Sequence, residues 1–497
     1  MRGYSNWSYQ PYRHALHETG DIYICRIAPS KDKIHVEWYE KDLGPVEVYY
    51  KLRDEEIKSE GAIRVEWFKI EEGKINKFET KRELQEFTLA GVTEGNEFDI
   101  ENLTDHTEYE VLVKAGEKRS RVRLVRTGDT IGVSVINYLH PEERVYEFSG
   151  GALCSPSLVR HPDGYLLASM DLFAGGYPQN LTLIYRSDDD GKTWHYVSEL
   201  MPCFWGKLFI HKGELYMLSC STEYGDLLIG KSVDGGKTFS APTVLLRGAN
   251  GKAGSSGCHK NPQNIVYYNG RLYETMEWAY TIGVGTDWNS YRFAAMVMSI
   301  DENDDLLVPE NWSFSEPVKF NPNFAAEVAD MPESALTIEG TLVVAPDGLL
   351  YNVMRFSKQG HALVYKVNTE NPEAPLEYSR IMEFPAHLAK FMIKYDDVSK
   401  KYYSIGCHIY DYSSHELAWA RNMLVLYSSE DLMKWDVAKV LYDYRHVDHM
   451  KMGMQYVDFS FEGDDIICQI RTAMNEPRDF HDANYSIFDR VKNFREL

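Results

Sequence analysis

Two carboxylates and two guanidinium groups occupy matching places in a repeated pattern of this chain. Seven residues past a turn glycine stand Asp171 (after Gly164), Cys220 (after Gly213), Glu277 (after Gly270) and Arg355 (after Gly348), and eight past Gly463 stands Arg471. Each follows an apolar strand. Acids and arginines are rarely buried unless paired, so matching strand ends would gather them at one open mouth. Hydrolysis of a glycosidic bond needs two carboxyl groups, one protonated and one ionised, while arginine forks bind planar carboxylates. The pattern therefore expects Asp171 as general acid, Glu277 or Glu339 as base or nucleophile, and Arg355 and Arg471 holding an acidic sugar. The structural alternative is a channel plug in which these acids simply pair with the arginines.

Other polar residues fall beside them. Nine residues before the turn glycine come Ser155, Asn261 and Glu339, with Cys154, His259, Lys260, Gln455 and Tyr456 nearby, and a fainter repeat offers Cys407 or His408. Together with His481 and Tyr485 they would line a mixed-charge bowl for a hydroxyl-rich ligand. His259, His408 and His481 also suit elimination across a uronate, the chemistry of a polysaccharide lyase. A sugar-binding propeller without catalysis is the third reading, because fold does not dictate chemistry. The segment His446-Val447-Asp448-His449 has metal-ligand types without a helix to space them and reads as a polar loop. No metal or cofactor is expected. H-E-x-x-H, P-loop, G-x-G-x-x-G and G-x-S-x-G patterns are all absent from the sequence.

The elements that must position these residues are hairpins. Ser157 to Ala168 turns at Gly164, Leu208 to Leu218 turns at Gly213, and further copies turn at Asn269-Gly270, Asp347-Gly348 and Glu462-Gly463, with a degenerate one near Asp396. Six hairpins over about 365 residues give near sixty per unit, which suits the four-stranded blades of a six-bladed β-propeller. In an antiparallel hairpin the first strand's start and the second strand's end lie at the same end, so all six share one face. Segments Ser187 to Trp194 and Ser232 to Phe239 both read S-x-D-x-G-x-T-aromatic, and Ser428 to Trp435 is a third copy lacking the glycine. This is turn chemistry, with hydroxyl and carboxylate bonding the backbone and the aromatic buried between sheets. The strand-like stretch Ile131 to Glu147 is expected to pair with the last blade and close the ring.

Ahead of the repeats, short strands at Ile34–Trp38, Val46–Tyr50, Phe98–Ile100, Tyr109–Val113 and Val122–Val125 build a separate all-β unit. With its early Trp38 and the run Asn102 to Ala115, this unit resembles a fibronectin type III sandwich, which would supply spacing, docking or carbohydrate binding. An insertion around Asp54 to Lys81 departs from that pattern. The organisation expected is an N-terminal extension over 1–20, a sandwich over 21–128 and a propeller over 129–497.

The bulk properties narrow the partners. A net charge of −22 over 497 residues, without a basic run, excludes a phosphate backbone as partner. Seven cysteines with no C-x-x-C pair fit a reducing compartment. Met1 to Trp7 has no apolar h-region, and no run of about 18 apolar residues exists, so a soluble cytoplasmic protein without membrane contact is expected.

The S-x-D-x-G-x-T turns and the Pro156 to Ala168 hairpin resemble the Asp-boxes and first blade of the sialidase, or neuraminidase, superfamily, over residues 131 to 497. That resemblance implies a six-bladed propeller whose active face carries three arginines around a carboxylate, an aspartate acid/base near the first blade, and a tyrosine and glutamate forming the nucleophile. The family's R-I-P start of the first strand appears here as Cys154-Ser155-Pro156, without the arginine. Asp171 falls near the acid/base, Arg355 and Arg471 stand for the other arginines, Glu277 or Glu339 for the glutamate, and Tyr485 is the candidate tyrosine. The expectation is a sialidase-like glycoside hydrolase of an acidic (uronate-type) or plant-derived glycan rather than a true sialidase.

Overall fold

The computed structural model describes residue 7 and residues 20–53, 86–146, 149–173, 179–248, 256–280, 292–321, 323, 337–386 and 388–497. Six sheets succeed one another as the blades of a propeller. Blade 1 is Ala152–Arg160, Leu166–Phe173, Thr182–Ser187 and His195–Leu200, and blade 2 is Phe204–His211, Glu214–Cys220, Leu227–Ser232 and Thr243–Leu246. Blade 3 has a divided first strand, Gly257–His259 and Val266–Tyr268, before Arg271–Ala279, Phe293–Asp301 and two short edge pieces. Blade 4 comprises Thr337–Val344, Leu350–Phe356, His361–Lys366 and Glu377–Glu383, and blade 5 Ile393–Asp396, Lys401–Cys407, Met423–Ser429 and Asp436–Asp443. Blade 6 is Gly453–Glu462, Asp465–Ala473 and Tyr485–Val491, completed by Val133–Ser134 from ahead of the ring. Ile487 pairs with Ser134 and Phe488 with Val133, so the chain's own start shuts the circle as the segment 131–147 suggested.

The repeated turns behave as their residues dictate. Asp189 accepts from Thr193 N at 2.8 Å and Thr193 Oγ1 at 2.7 Å, while Ser187 Oγ accepts from Gly191 N at 2.8 Å. Asp234 and Ser232 repeat this bonding to Thr238 and Gly236. The aromatic that follows is buried between blades: Trp194 meets the Phe488 ring of blade 6 at 5.6 Å.

The first strands are stapled blade to blade. Leu208 N donates to Ser157 Oγ (2.9 Å), Ile393 N to Thr341 Oγ1 (3.3 Å) and Leu158 N to Asp458 Oδ2 (2.8 Å), always from one register position to its neighbour's. Two residues before this acceptor position, which Lys207 occupies in blade 2, the strand bulges: the register shifts at Phe204/Lys207, Ile338/Thr341 and Gln455/Asp458, and one residue earlier in blade 1 at Leu153/Pro156. At the bulges of blades 2, 4 and 6, Trp205, Glu339 and Tyr456 all take left-handed backbone angles, with φ of 54°, 56° and 57°. Such conformations cost roughly 1–2 kcal/mol for a side-chain-bearing residue and persist only where surrounding bonds hold them. A bulge re-aims its side chain, and those of Glu339 and Tyr456 meet each other.

The N-terminal unit is a sandwich of two sheets. Ile24–Pro29, Ile34–Trp38 and Glu97–Ile100 form one, and Thr88–Thr93, Val46–Leu52, Glu108–Ala115 and Arg123–Arg126 the core of the other. The insertion expected around Asp54 to Lys81 lies outside the described residues. The sandwich is fastened to the propeller: Arg26 donates to Ser134 O and Val135 O on the closing segment, Tyr185 Oη of blade 1 donates to Cys25 O at 2.6 Å, and Tyr23 Oη donates to Glu199 at 2.5 Å.

Candidate active site

One hydrogen-bonded cluster sits where the bulged strands of blades 4 and 6 face each other. Tyr456 Oη donates to Glu339 Oε1 at 2.7 Å, and Arg355 Nη1 donates to Glu339 Oε2 at 2.5 Å and to Tyr456 Oη at 3.1 Å. Two further guanidinium groups flank the phenol. Arg471 lies 4.9 Å from the Tyr456 ring centre and Arg421 lies 5.9 Å from it. Arg421 donates to Gln455, and its own backbone carbonyl accepts from Met454 N, which fixes the loop bearing it against blade 6. Arg471 donates to His481 O at 2.5 Å and reaches Cys154 Sγ at 3.8 Å.

The electrostatics follow from this crowding. Burial alone would lift the Glu339 carboxyl, but the Arg355 cation and the Tyr456 hydroxyl hold it below the ordinary glutamate range. Burial and the Glu339 charge push the Tyr456 phenol up, while Arg355, Arg421 and Arg471 pull it back toward ionisation. Burial brings Arg421 down to about 10, helped by the neighbouring arginines. Burial, with Arg471, Arg421 and Arg355, pushes His481 well below its usual value, which favours the neutral imidazole in this field. Three cations against one carboxylate leave the cluster short of negative charge, which an anionic ligand would supply.

Other predicted residues lie in the wall. Asp171 is 0% exposed and accepts from Thr182 Oγ1 (2.7 Å), Trp205 N (2.9 Å) and Gly206 N (3.2 Å). Burial pushes it up to about 7. Glu277, also 0% exposed, bonds His259 Nδ1 at 2.7 Å and accepts from Gly340 N at 3.4 Å. Both carboxylates therefore hold the next blade's bulge, and neither meets the open basin expected of it. The same ring position repeats this service: Cys220 Sγ contacts Cys258 O of blade 3, and Cys407 Sγ contacts Met454 O of blade 6. Matching strand ends gather these groups as expected, but most point sideways into the neighbouring blade; Arg355 points inward.

Lys260 is fully buried with Glu274 at 2.5 Å, and Asn261 is buried beside it, so neither lies on an open surface. His408 pairs with Tyr427 Oη at 2.6 Å on the flank of blade 5. Tyr485 is corrected outright: it is 0% exposed and packs on Tyr138 at 4.9 Å in the core shared with the sandwich. The tyrosine that meets Glu339 is Tyr456. Glu339, Arg355, Arg471 and His481 are brought together; Tyr456 keeps 8% and Arg355 7% of its surface exposed, unlike Asp171.

Sequence reasoning missed Arg421 and Glu223. Glu223 sits in the turn between Glu214–Cys220 and Leu227–Ser232, accepts from Gln179 Nε2 at 2.7 Å, and is raised by burial. His259 acts electrostatically on both Glu223 and Glu339 and lowers each. Among the described residues, Asp479, His481 and Asp482 bring ligand atoms within 4.8 Å of one another, but Asp482 already pairs with Arg478 and Asp479 caps the N–H groups of His481 and Asp482.

The fold and site define a six-bladed β-propeller with an arginine-ringed tyrosine and glutamate on one face. No protein-family model matches the chain. No curated protein matches it. Among solved structures it is similar to a Hadza microbial sialidase, at 13% identity over 93% of each chain with a TM-score of 0.48. It is also similar to a Penicillium chrysogenum α-L-arabinanase complexed with arabinobiose (12% identity, 74% of this chain and 98% of that one, TM-score 0.46). An ulvan lyase, a polysaccharide lyase, aligns at 12% identity over 78% of this chain and 88% of its own, with a TM-score of 0.44.

Proposed function

We propose that this protein is a retaining glycoside hydrolase acting on an acidic sugar, with Tyr456 as nucleophile and Glu339 as its base. The single observation that carries this reading is the Tyr456–Glu339–Arg355 hydrogen-bonded triad flanked by Arg421 and Arg471. A bare carboxylate nucleophile would be repelled by an anionic substrate. A phenol that hands its proton to a neighbouring carboxylate reaches the same carbon uncharged, which is why tyrosine replaces the acid in some glycosidases. The arginines bind the sugar's carboxylate and stabilise developing phenolate character.

In the first step Tyr456 Oη bonds to the anomeric carbon, its proton passes to Glu339, and the glycosidic oxygen leaves with a proton from Glu223. In the second, Glu223 takes a proton from water, the hydroxide displaces Tyr456, and Glu339 returns the phenolic proton. Burial raises Glu223, which favours the protonated form the first step needs. Asp171 keeps the neighbouring Trp205 bulge in place from the wall.

The sequence lacks the first-strand arginine at Cys154, and Arg471 of blade 6 reaches that point from the side. This supports an anionic substrate without fixing which one. The strand order of the N-terminal sandwich supports a fibronectin type III-like module over 21–128, serving as a spacer fastened to the propeller over 129–497. The test is a screen of sialosides and uronides with chromatographic detection of released monosaccharide. Release by the wild-type protein and at least a thousandfold less by Tyr456→Phe is expected, on the order of a lost catalytic nucleophile. An unsaturated, ultraviolet-absorbing product would replace this reading with elimination.

A further inference from the structure

The ring of first strands places one more ionisable side chain at the position that bears Glu339 and Tyr456. Ile393 N bonds Thr341 Oγ1 as Leu208 N bonds Ser157 and Leu158 N bonds Asp458. Three residues before these donors stand Ser155, Trp205 and, in blade 5, Lys390. Blade 5 lies between blades 4 and 6, so Lys390 is flanked by the two residues that bond across it. Its side chain is 1% exposed, and among the described residues Nζ has no hydrogen-bond partner. The other two lysines of this interior are paired: Lys207 with Asp458 at 2.5 Å and Lys260 with Glu274 at 2.5 Å. An unpaired buried amine is costly to keep unless its environment gives it a use.

We infer that Lys390 is a positioning residue of the Glu339–Tyr456 pair, one that gates the passage of the phenolic proton to Glu339. As an ammonium it holds Glu339 ionised and weakens it as a base; as a neutral amine it lets Glu339 accept the proton. The charged groups acting on it come from the two adjoining blades and from across the ring: Asp458 of blade 6 and Glu339 of blade 4, then Lys207 of blade 2 and Lys260 of blade 3. Burial is the largest influence and brings the amine down to about 7, inside the range where such a gate would operate. The catalytic meaning of the gate rests on the hydrolase reading above, but the coupling between Lys390 and Glu339 does not.

The experiment is an NMR pH titration of the full-length protein labelled with 13C at the lysine ε carbon. The Lys390 signal is assigned by its loss in Lys390→Met, or in Lys390→Arg should the methionine variant fail to fold. A midpoint near 7 is expected, moving down by about half a unit or more in Glu339→Gln, because removing a neighbouring anion disfavours the ammonium. A midpoint above about 9, or one that ignores Glu339→Gln, overturns the inference and leaves the hydrolase reading standing. With an acidic glycoside that the protein cleaves, the low-pH limb of kcat should disappear in Lys390→Met, whereas Lys390→Arg, permanently charged, should stay at the low-pH rate throughout. A limb that persists unchanged counts against the gate. A coupled Lys390 in a protein that cleaves no acidic glycoside supports the coupling and fails the hydrolase reading alone.

Discussion

The carboxylate of Asp171, on the second strand of blade 1, accepts the backbone N–H of Trp205 at 2.9 Å, on the first strand of blade 2. Trp205 stands at φ 54°, so the bond holds a backbone conformation that a tryptophan does not adopt by preference. Glu277 and Gly340 N repeat the arrangement between blades 3 and 4. Carboxylates that look catalytic in the sequence thus set the shape of the strands that carry the chemistry.

Replacing Asp171 should therefore unfold before it inactivates. Asp171→Ala strands the buried N–H groups of Trp205 and Gly206, each costing about 1–3 kcal/mol, while the Thr182 hydroxyl keeps Cys203 O as acceptor, and a large fall in melting temperature is expected by calorimetry. A variant of wild-type stability lacking only activity would return Asp171 to the catalytic step.

The same carboxyl has a signature in pH. Its folded value is raised to about 7, above the unfolded aspartate, so the stability it contributes is complete below about pH 4 and is lost as pH rises through 7. The amide introduced by Asp171→Asn cannot titrate. The stability deficit of that variant relative to wild type should therefore shrink between pH 5 and pH 8, read by denaturant unfolding at each pH. A deficit that grows with pH would contradict the raised value.

All seven cysteines are free and buried. Burial pushes Cys154 and Cys203 up to about 12 and Cys407 up to about 11, so none offers a thiolate at neutral pH. A thiol reagent should titrate essentially no cysteine in the native protein and all seven after denaturation. Fast reaction at Cys154 would show that the Arg471 contact leaves the thiol accessible.

The arginines should divide by role. Arg471→Met removes a cation beside Tyr456 without touching the Glu339 hydrogen bonds, so affinity for an acidic sugar should fall about a hundredfold, near 3 kcal/mol. Arg355→Met also removes the cationic partner of Glu339, leaving it only the Tyr456 hydroxyl, and should impair turnover as well as binding. Equal effects in both parameters for the two variants would argue against this division.

The architecture was legible because hairpin turns repeat visibly, and the ring position of Arg355 and Arg471 could be counted from their glycines. Tyr456 escaped the count through turn length. Five-residue turns in blades 1 and 4 place the glycine nine residues after Ser155 and Glu339, whereas two-residue turns place it eight after Trp205 and seven after Tyr456. A fixed offset therefore lands beside Tyr456, and Tyr485 is put forward for the role that the resemblance implies because it lies late in the chain. Arg421 lies in a loop between the second and third strands of blade 5, where no hairpin register reaches. Burial was invisible too: Asp171 and Arg355 share a ring position, but Asp171 is taken up by the bulge N–H groups of blade 2 and Arg355 by Glu339 and Tyr456.

The most direct measurement is covalent trapping. The protein is incubated with an activated aryl glycoside of the acidic sugar it cleaves, fluorinated next to the anomeric carbon to slow release, and its peptides are mapped by mass spectrometry. A glycosyl adduct on Tyr456, absent in Tyr456→Phe and diminished in Glu339→Gln, is the expected result. An adduct on a carboxylate, or sustained turnover by Tyr456→Phe, would contradict it.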